Sequence, residues 1–449
     1  MVTTRRQFLK QAFAAGTALA VPNILSGPAL GDAAPNSRVN VAQIGCGNIG
    51  SNYHIPTLRL MPDVRIVAVA DAYKSRRDAA AAKLNAHYGE KDTCTTYADF
   101  REILARKDVD AVIIGAHDHW HIPMSIAAAK AGKDVYCQKP LAVDFNLADP
   151  LRKLINETKR VFQFGTQYRS SGRHRLMCEL VRNGYIGQLK HIDVWCRDVS
   201  FNESEYHVKP YGSATPAPVP ADLDFSAWMG PSEMVPYTVD RATCWGGYHC
   251  PETSLGFIAG CGIHELGMAQ WGNKSDHTSP IHYQGTGLVP TEGVFRTLAR
   301  WDVMCRYENG VTMRLMDHRT AREAMKSKLP GWHDGDGTVF HGTEGWIGDA
   351  EGFCAHDRKI WKTEFKATDE RLPVSPEHNR NFIDCVKSRK ETICPVEMAI
   401  RCDTVCHLAN AAVRTGRAIN WDPKQEQIVG DTEAAKLLTR PFRPEWKVW

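Results

Sequence analysis

The chain has 449 residues, 43% of them hydrophobic and 24% charged, with 55 basic against 51 acidic side chains and a formal net charge of +4. That balance leaves no electrostatic footprint for nucleic acid or an anionic membrane surface. Near-average glycine and proline, without low-complexity tracts, exclude collagen-like and disordered chains. The length predicts two domains, each with its own core, and fourteen cysteines in so long a chain do not make a disulfide-stapled module.

In chain order, residues 1–33 read as an address. Arg5-Arg6 precede Phe8-Leu9-Lys10, then a short apolar run from Ala12 to Val21 and a small-residue tail. This is the pattern of an export signal of the twin-arginine type. Pro22, Gly27, Pro28 and Gly31 oppose a first helix there, and the apolar run is too short for a committed membrane span.

A strand, Val39 to Ile44, runs into Gly45-Cys46-Gly47-Asn48-Ile49-Gly50, a G-x-G-x-x-G. The first glycine suits a tight turn, the second lets backbone approach a pyrophosphate, and the third packs helix on strand. A second strand, Val64 to Ala70, ends at Asp71, 21 residues beyond Gly50, where a carboxylate accepts from an adenosine ribose hydroxyl. A carboxylate there repels a 2′-phosphate and favours NAD over NADP, although Lys74, Arg76 and Arg77 close by weigh the other way.

Strand and helix then alternate. A helix follows Phe100, strands span Asp110 to Gly115 and Asp134 to Cys137, and an Ala-rich helix covers Ile122 to Ala131. This pattern predicts a doubly wound parallel sheet with ligands at the carboxyl ends of its strands. His117-Asp118-His119-Trp120-His121 and Gln138-Lys139-Pro140 both follow strands and are expected to face the cofactor, with Trp120 walling the nicotinamide pocket. His119 and His121 invite a metal reading, but no clustered carboxylates or histidines complete a ligand set, so no metal is expected.

Four stretches together carry a resemblance. They are Ile44 to Gly50, Asp118-His119-Trp120-His121, Tyr136 to Leu141 and Phe162 to Ser170, continued by Leu223-Asp224-Phe225, Ala269-Gln270-Trp271 and Trp421-Asp422-Pro423. The chain resembles the Gfo/Idh/MocA oxidoreductases, the family of glucose–fructose oxidoreductase and inositol dehydrogenase, over nearly all of its length beyond the address. The resemblance implies an α/β chain with a Rossmann domain over 38–160. A substrate domain with a large, open, mostly antiparallel sheet would cover 161–375. Helices and an extended tail over 376–449 would return to the first domain. It also implies a homodimer or homotetramer.

It further implies a catalytic Lys139 and His264. Tyr168, Arg169 and His264 would contact substrate, and Gly45, Gly47, Asn48, Ile49, Gly50, Asp71, His119, Trp120, His121, Gln138 and Lys139 would bind the cofactor. Two family carboxylates are absent. Gln138 stands where a Glu precedes the lysine, and Gly260 stands where an Asp lies four residues before His264. Glu265 adjoins that histidine but points elsewhere on a regular helix. Trp245, His249, Trp332 and His333 lie in glycine-rich loops suited to sugars.

These features predict an exported, NAD-dependent oxidoreductase acting on a secondary hydroxyl of a sugar, glycoside or cyclitol, with a tightly held, recycled cofactor. Its partners would be that small molecule and the twin-arginine export machinery. Two alternatives stand beside it: a redox-neutral glycoside-cleaving enzyme with catalytic NAD, and a sugar-binding protein on a degenerate scaffold.

Overall fold

A computed structural model describes residues 38–447 apart from 90, 92, 199–210, 244, 328–334 and 351. The address at 1–33 and the pair Trp332 and His333 lie outside the described residues. Among those described, no helix is long and apolar enough to cross a membrane.

Six parallel strands form the first sheet: β1 (Val39–Ile44), β2 (Val64–Ala70), β3 (Thr95–Tyr97), β4 (Ala111–Ile114), β5 (Asp134–Cys137) and β6 (Phe162–Phe164). Their order is β3-β2-β1-β4-β5-β6, so the chain reverses direction across the sheet between β1 and β4, and a crevice opens there beyond the strand ends. β4 and β5 are buried at every residue, as short apolar strands covered on both faces must be. The connecting helices include α1 (Lys74–Tyr88), α2 (Asp118–Lys130) and α3 (Ala148–Thr158).

After α4 (Gly172–Arg182), nine strands make a second sheet. They are β7 (Leu189–Cys196), β8 (His282–Leu288), β9 (Arg300–Arg306), β10 (Thr312–Asp317), β11 (Gly337–Gly342), β12 (Trp346–Gly348), β13 (Cys354–Ala355), β14 (Ile419–Asp422) and β15 (Gln427–Val429). All pairs are antiparallel except β7 with β10. Along β9 buried and more exposed residues alternate, the signature of a sheet with one covered face. The covering helices are α5 (Gly262–Gly272) and α7 (Val396–Thr415). Met398, Cys402, Val405 and Ala409 of α7 are all buried, so Cys402 and Cys406 serve as small apolar groups. The described cysteines are free thiols, nearly all buried.

Two boundaries differ from the sequence reading. β6 lies beyond residue 160 and completes the first sheet. The segment after 376 supplies β14 and β15 to the second sheet as well as α6 (His378–Ser388), whose Phe382, Ile383 and Val386 pack with Val41, Ile66 and Ile113 of the first. The cap of α6 is Glu377, whose carboxylate accepts from the Arg380 amide at 2.7 Å.

Candidate active site

A cavity of about 430 Å³ opens at the carboxyl ends of β1, β2, β4 and β5 and extends to the N-terminal end of α5. At one end lies the glycine loop. Gly45 has φ +88°, and a Cβ there would sit 2.5 Å from the Gly115 carbonyl carbon, so only glycine makes this turn against β4. A Cβ on Gly50 would meet the Gly45 carbonyl oxygen at 2.3 Å, whereas Gly47 has nothing closer than an Arg76 guanidinium nitrogen at 4.0 Å. The loop is thus a cradle that side chains would fill, with Gly47, Asn48 and Ile49 lining the cavity.

Asp71, at the end of β2, accepts from the Cys46 amide at 2.7 Å on one oxygen and the Tyr73 amide at 2.8 Å on the other. Burial pushes its carboxyl above the ordinary range, and these amides act against that shift. Each oxygen keeps a second lone pair, so the fixed carboxylate can still accept a ribose hydroxyl. Of the three neighbouring cations, Lys74 pairs with Asp78 and Arg77 donates to the Asp71 carbonyl at 2.9 Å. Arg76 stacks on Tyr73 at 3.9 Å and lines the cavity. The cradle, the open Gly47 and the carboxylate at the lip fit an NAD adenosine and pyrophosphate.

At the other end stand Lys139 and His264. The Lys139 ammonium donates to the Gly260 carbonyl and makes no ion pair among the described residues. His264 is held well below an ordinary imidazole by burial, then by the Lys139 charge beside it, so it is a neutral proton acceptor at neutral pH. Its Nδ1 is buried without a hydrogen-bond partner, and its ring tilts against Tyr168 with centroids 5.0 Å apart. Lys139, His264, Tyr168 and Gln138 all line the cavity.

Gln138 is turned from the ammonium. Its side-chain amide donates to His54 Nε2 at 2.9 Å, whose Nδ1–H donates to Asn379 at 2.9 Å. Burial takes His54 down to about 3, so this buried chain is neutral throughout.

Several residues expected at the site do not reach it. His119 bonds to the Trp228 carbonyl at 2.9 Å, and His121 is fixed between the Pro140 and Ala116 carbonyls at 2.5 and 3.1 Å. Asp118–His121 begin α2 rather than forming a loop; the helical turn carries His119 off the face of Trp120 and Met124 that lines the cavity, while His121 is kept from it by its two carbonyl bonds. Arg169 is buried in a fork with Asp276, at 2.9 and 2.5 Å, stacked on Trp271; it braces α5. Gly50 packs beneath the loop. Glu265 faces inward to Thr338 Oγ1 at 2.7 Å, away from the cavity. His249 is buried between Phe257 and Phe295.

His117 lines the cavity as expected, and the cavity also takes residues that the sequence reading passed over: Arg197, Trp228, Tyr248, Asp336 and Trp446. Trp446 belongs to the terminal tail, where it meets the Trp120 edge at 5.5 Å and carries Arg101 at 4.9 Å over its ring. The tail therefore forms part of the wall. Trp245, expected in a sugar-binding loop, lines the cavity too.

A Rossmann sheet that presents a glycine cradle and acidic lip to one end of a cavity, and a lysine and neutral histidine to the other, defines an NAD-binding oxidoreductase. The comparisons agree. Residues 39–166 match the oxidoreductase family's NAD-binding Rossmann fold, and 176–448 match its C-terminal alpha/beta domain. The chain belongs to the Gfo/Idh/MocA oxidoreductase family.

Inositol 2-dehydrogenase 1 of Saccharopolyspora erythraea is 33% identical over 208 residues, 45% of this chain and 58% of that protein. A glycosyl hydrolase family 109 protein of Shewanella sp. (strain W3-18-1) is 28% identical over 207 residues, 42% of this chain and 44% of that protein. The chain thus spans about half the length of these curated relatives. The WlbA dehydrogenase of Chromobacterium violaceum, solved with NADH and UDP-GlcNAcA, shares the fold with a TM-score of 0.61 at 15% identity, over 86% of this chain and 96% of that one.

Proposed function

We propose that the protein oxidises a secondary hydroxyl of a cyclitol, sugar or glycoside, and that it is exported with its NAD held and recycled in place. The observation that carries the chemistry is the convergence of Lys139 and His264 on the cavity that the glycine loop opens. NAD held by the glycine loop and Asp71 would supply the acceptor for the hydride that leaves the carbinol carbon. His264, neutral and with an unpaired buried Nδ1, receives the hydroxyl proton. Lys139, anchored on the Gly260 carbonyl, faces the alkoxide as it forms. Tyr168 packs against the His264 ring, tilted by 31° to it, and helps to hold it in place. Similarity to an inositol dehydrogenase supports the substrate class.

Export rests on Arg5-Arg6 and the apolar run that follows. Outside the cytoplasm little free NAD circulates, so a cofactor carried through on a folded protein serves best if it is kept and regenerated. A redox-neutral reading is favoured by one observation, the similarity to a glycosyl hydrolase family 109 protein. In that case a hydroxyl is oxidised, a glycosidic bond eliminated, and the hydride returned.

The test is to purify the protein without added nucleotide, denature it, and identify what is released by mass spectrometry. Near-stoichiometric NAD is the expected result. An empty protein that also fails to bind added NAD refutes the reading and favours a sugar-binding role. With NAD in place, free sugar released from glycosides without a net absorbance change at 340 nm selects the redox-neutral course.

A further inference from the structure

The missing carboxylate at position 260 has left a space, and that space is filled. A Cβ on Gly260 would lie 2.8 and 2.9 Å from Cδ1 and Cε1 of Tyr248. The tyrosine ring therefore stands where a side chain at 260 would begin, and the two exclude each other. The same ring lies 5.7 Å from the Lys139 ammonium and lines the cavity.

The placement of Tyr248 is firmly built. It sits in a short turn, Gly246–His249, with Phe257 behind it at 5.8 Å and Trp245 beside it at 6.0 Å, tilted by 33°. Thr253 Oγ1 donates to the Gly247 carbonyl at 2.8 Å, and a Cβ on Gly247 would strike the His117 imidazole at 2.7 Å. Trp245 lines the cavity as well, so the two rings make a continuous aromatic wall next to the proposed reacting groups. The remaining lining there is polar: Arg197, paired with Asp336 at 3.0 Å, together with Tyr168 and His264.

We infer that Tyr248 is a specificity-determining residue that takes the place of the absent carboxylate and stacks on the substrate. Resting on the function proposed above, this narrows the substrate to a saturated polyol ring, a pyranose or cyclitol, that offers a face of C–H bonds. Such a face carries slight positive charge and suits the negative face of an aromatic ring, while the hydroxyl rim meets the polar lining. An open-chain polyol has no such face.

The experiment is calorimetric titration of a panel (myo-inositol, glucose, methyl glucosides and the open-chain sorbitol) into NADH-saturated protein, with NADH affinity and Tm read on every variant. Rings are expected to bind and sorbitol to bind much more weakly. Tyr248→Ala and Tyr248→Leu are expected to weaken ring binding roughly tenfold, and Tyr248→Phe no more than about threefold, since it keeps the ring. Gly260→Asp is expected to abolish ring binding, and Gly260→Asp with Tyr248→Ala to regain part of it by removing the clash. Equal binding by the wild type and Tyr248→Ala overturns the inference while leaving the proposed reaction intact. So does a loss in Tyr248→Phe as large as in Tyr248→Ala. A wild type that binds no ring in the panel overturns the substrate class itself.

Discussion

Asp118→Asn is expected to stabilise the protein by an amount that grows with pH. Asp118 opens α2 and is 2% exposed. Ser254 Oγ donates to it at 2.5 Å. Burial raises its carboxyl to about 7, against the opposing pull of Ser254 and Lys139. In the unfolded chain it ionises near 4. Between those values the unfolded state has released this proton and the folded state still holds it, so stability falls as pH rises and levels off above about 7. The full gap is worth roughly 4 kcal/mol, and the part lying between pH 5 and pH 8 roughly 3 kcal/mol.

Asparagine cannot ionise, and its NH₂ replaces the carboxyl O–H while its oxygen still accepts from Ser254. The wild type should therefore lose stability against Asp118→Asn across that range. At about 1 °C per kcal/mol for a chain of this size, the Tm gap should widen by about 3 °C from pH 5 to pH 8. Paired thermal unfolding scans read the gap directly and cancel every other titrating group. A gap that stays constant, or that widens toward acid, refutes the argument.

Gly45→Ala forces a side chain into a left-handed turn 2.5 Å from Gly115. It should cost roughly 2 kcal/mol or more and remove NAD binding, followed by quenching of the cavity tryptophans. Trp446→Ala removes the wall residue that meets Trp120 and Arg101. It should speed NAD release about three- to tenfold in stopped-flow chase and leave Tm within about 1 °C, because the tail residue is only partly buried, at the edge of the core.

Residues fixed by local backbone rules were legible in the sequence. The glycine loop, the acidic residue after β2 and the lysine after β5 follow from strand ends and turn geometry, so spacing alone locates them. The helical period of α2 was legible in part: positions 120 and 124 share a face, and placing the helix start at 118 instead of 122 would have sent His119 elsewhere, whereas His121 lies on the face of Met124 and is withdrawn only by its bonds to the Pro140 and Ala116 carbonyls. Arg169 deceived because it adjoins Tyr168, yet on the turn at Gln167–Ser170 neighbouring side chains diverge, one toward His264 and the other to Asp276. Tyr248 and Trp446 carried no sequence signal. They reach the cavity through a loop and a tail whose courses are set by tertiary packing, and only the unexplained Gly260 hinted that something else occupied its space.

The two lost carboxylates act together on one charge. A glutamate at 138 or an aspartate at 260 beside Lys139 would offset its ammonium; here its neighbours are a carbonyl, an aromatic ring and a neutral imidazole. Asp118 feels the Lys139 charge but stays protonated up to about pH 7. An alkoxide forming 4 Å from an uncompensated ammonium gains about 4 kcal/mol at an effective dielectric of 20, and a carboxylate at similar range would cancel much of that. A neutral hydroxyl gains far less. In the proposed reaction the substitutions would therefore favour the ionised form of the reacting hydroxyl over its resting form, lowering its pKa within the cavity and leaving His264 less of the proton-abstracting work.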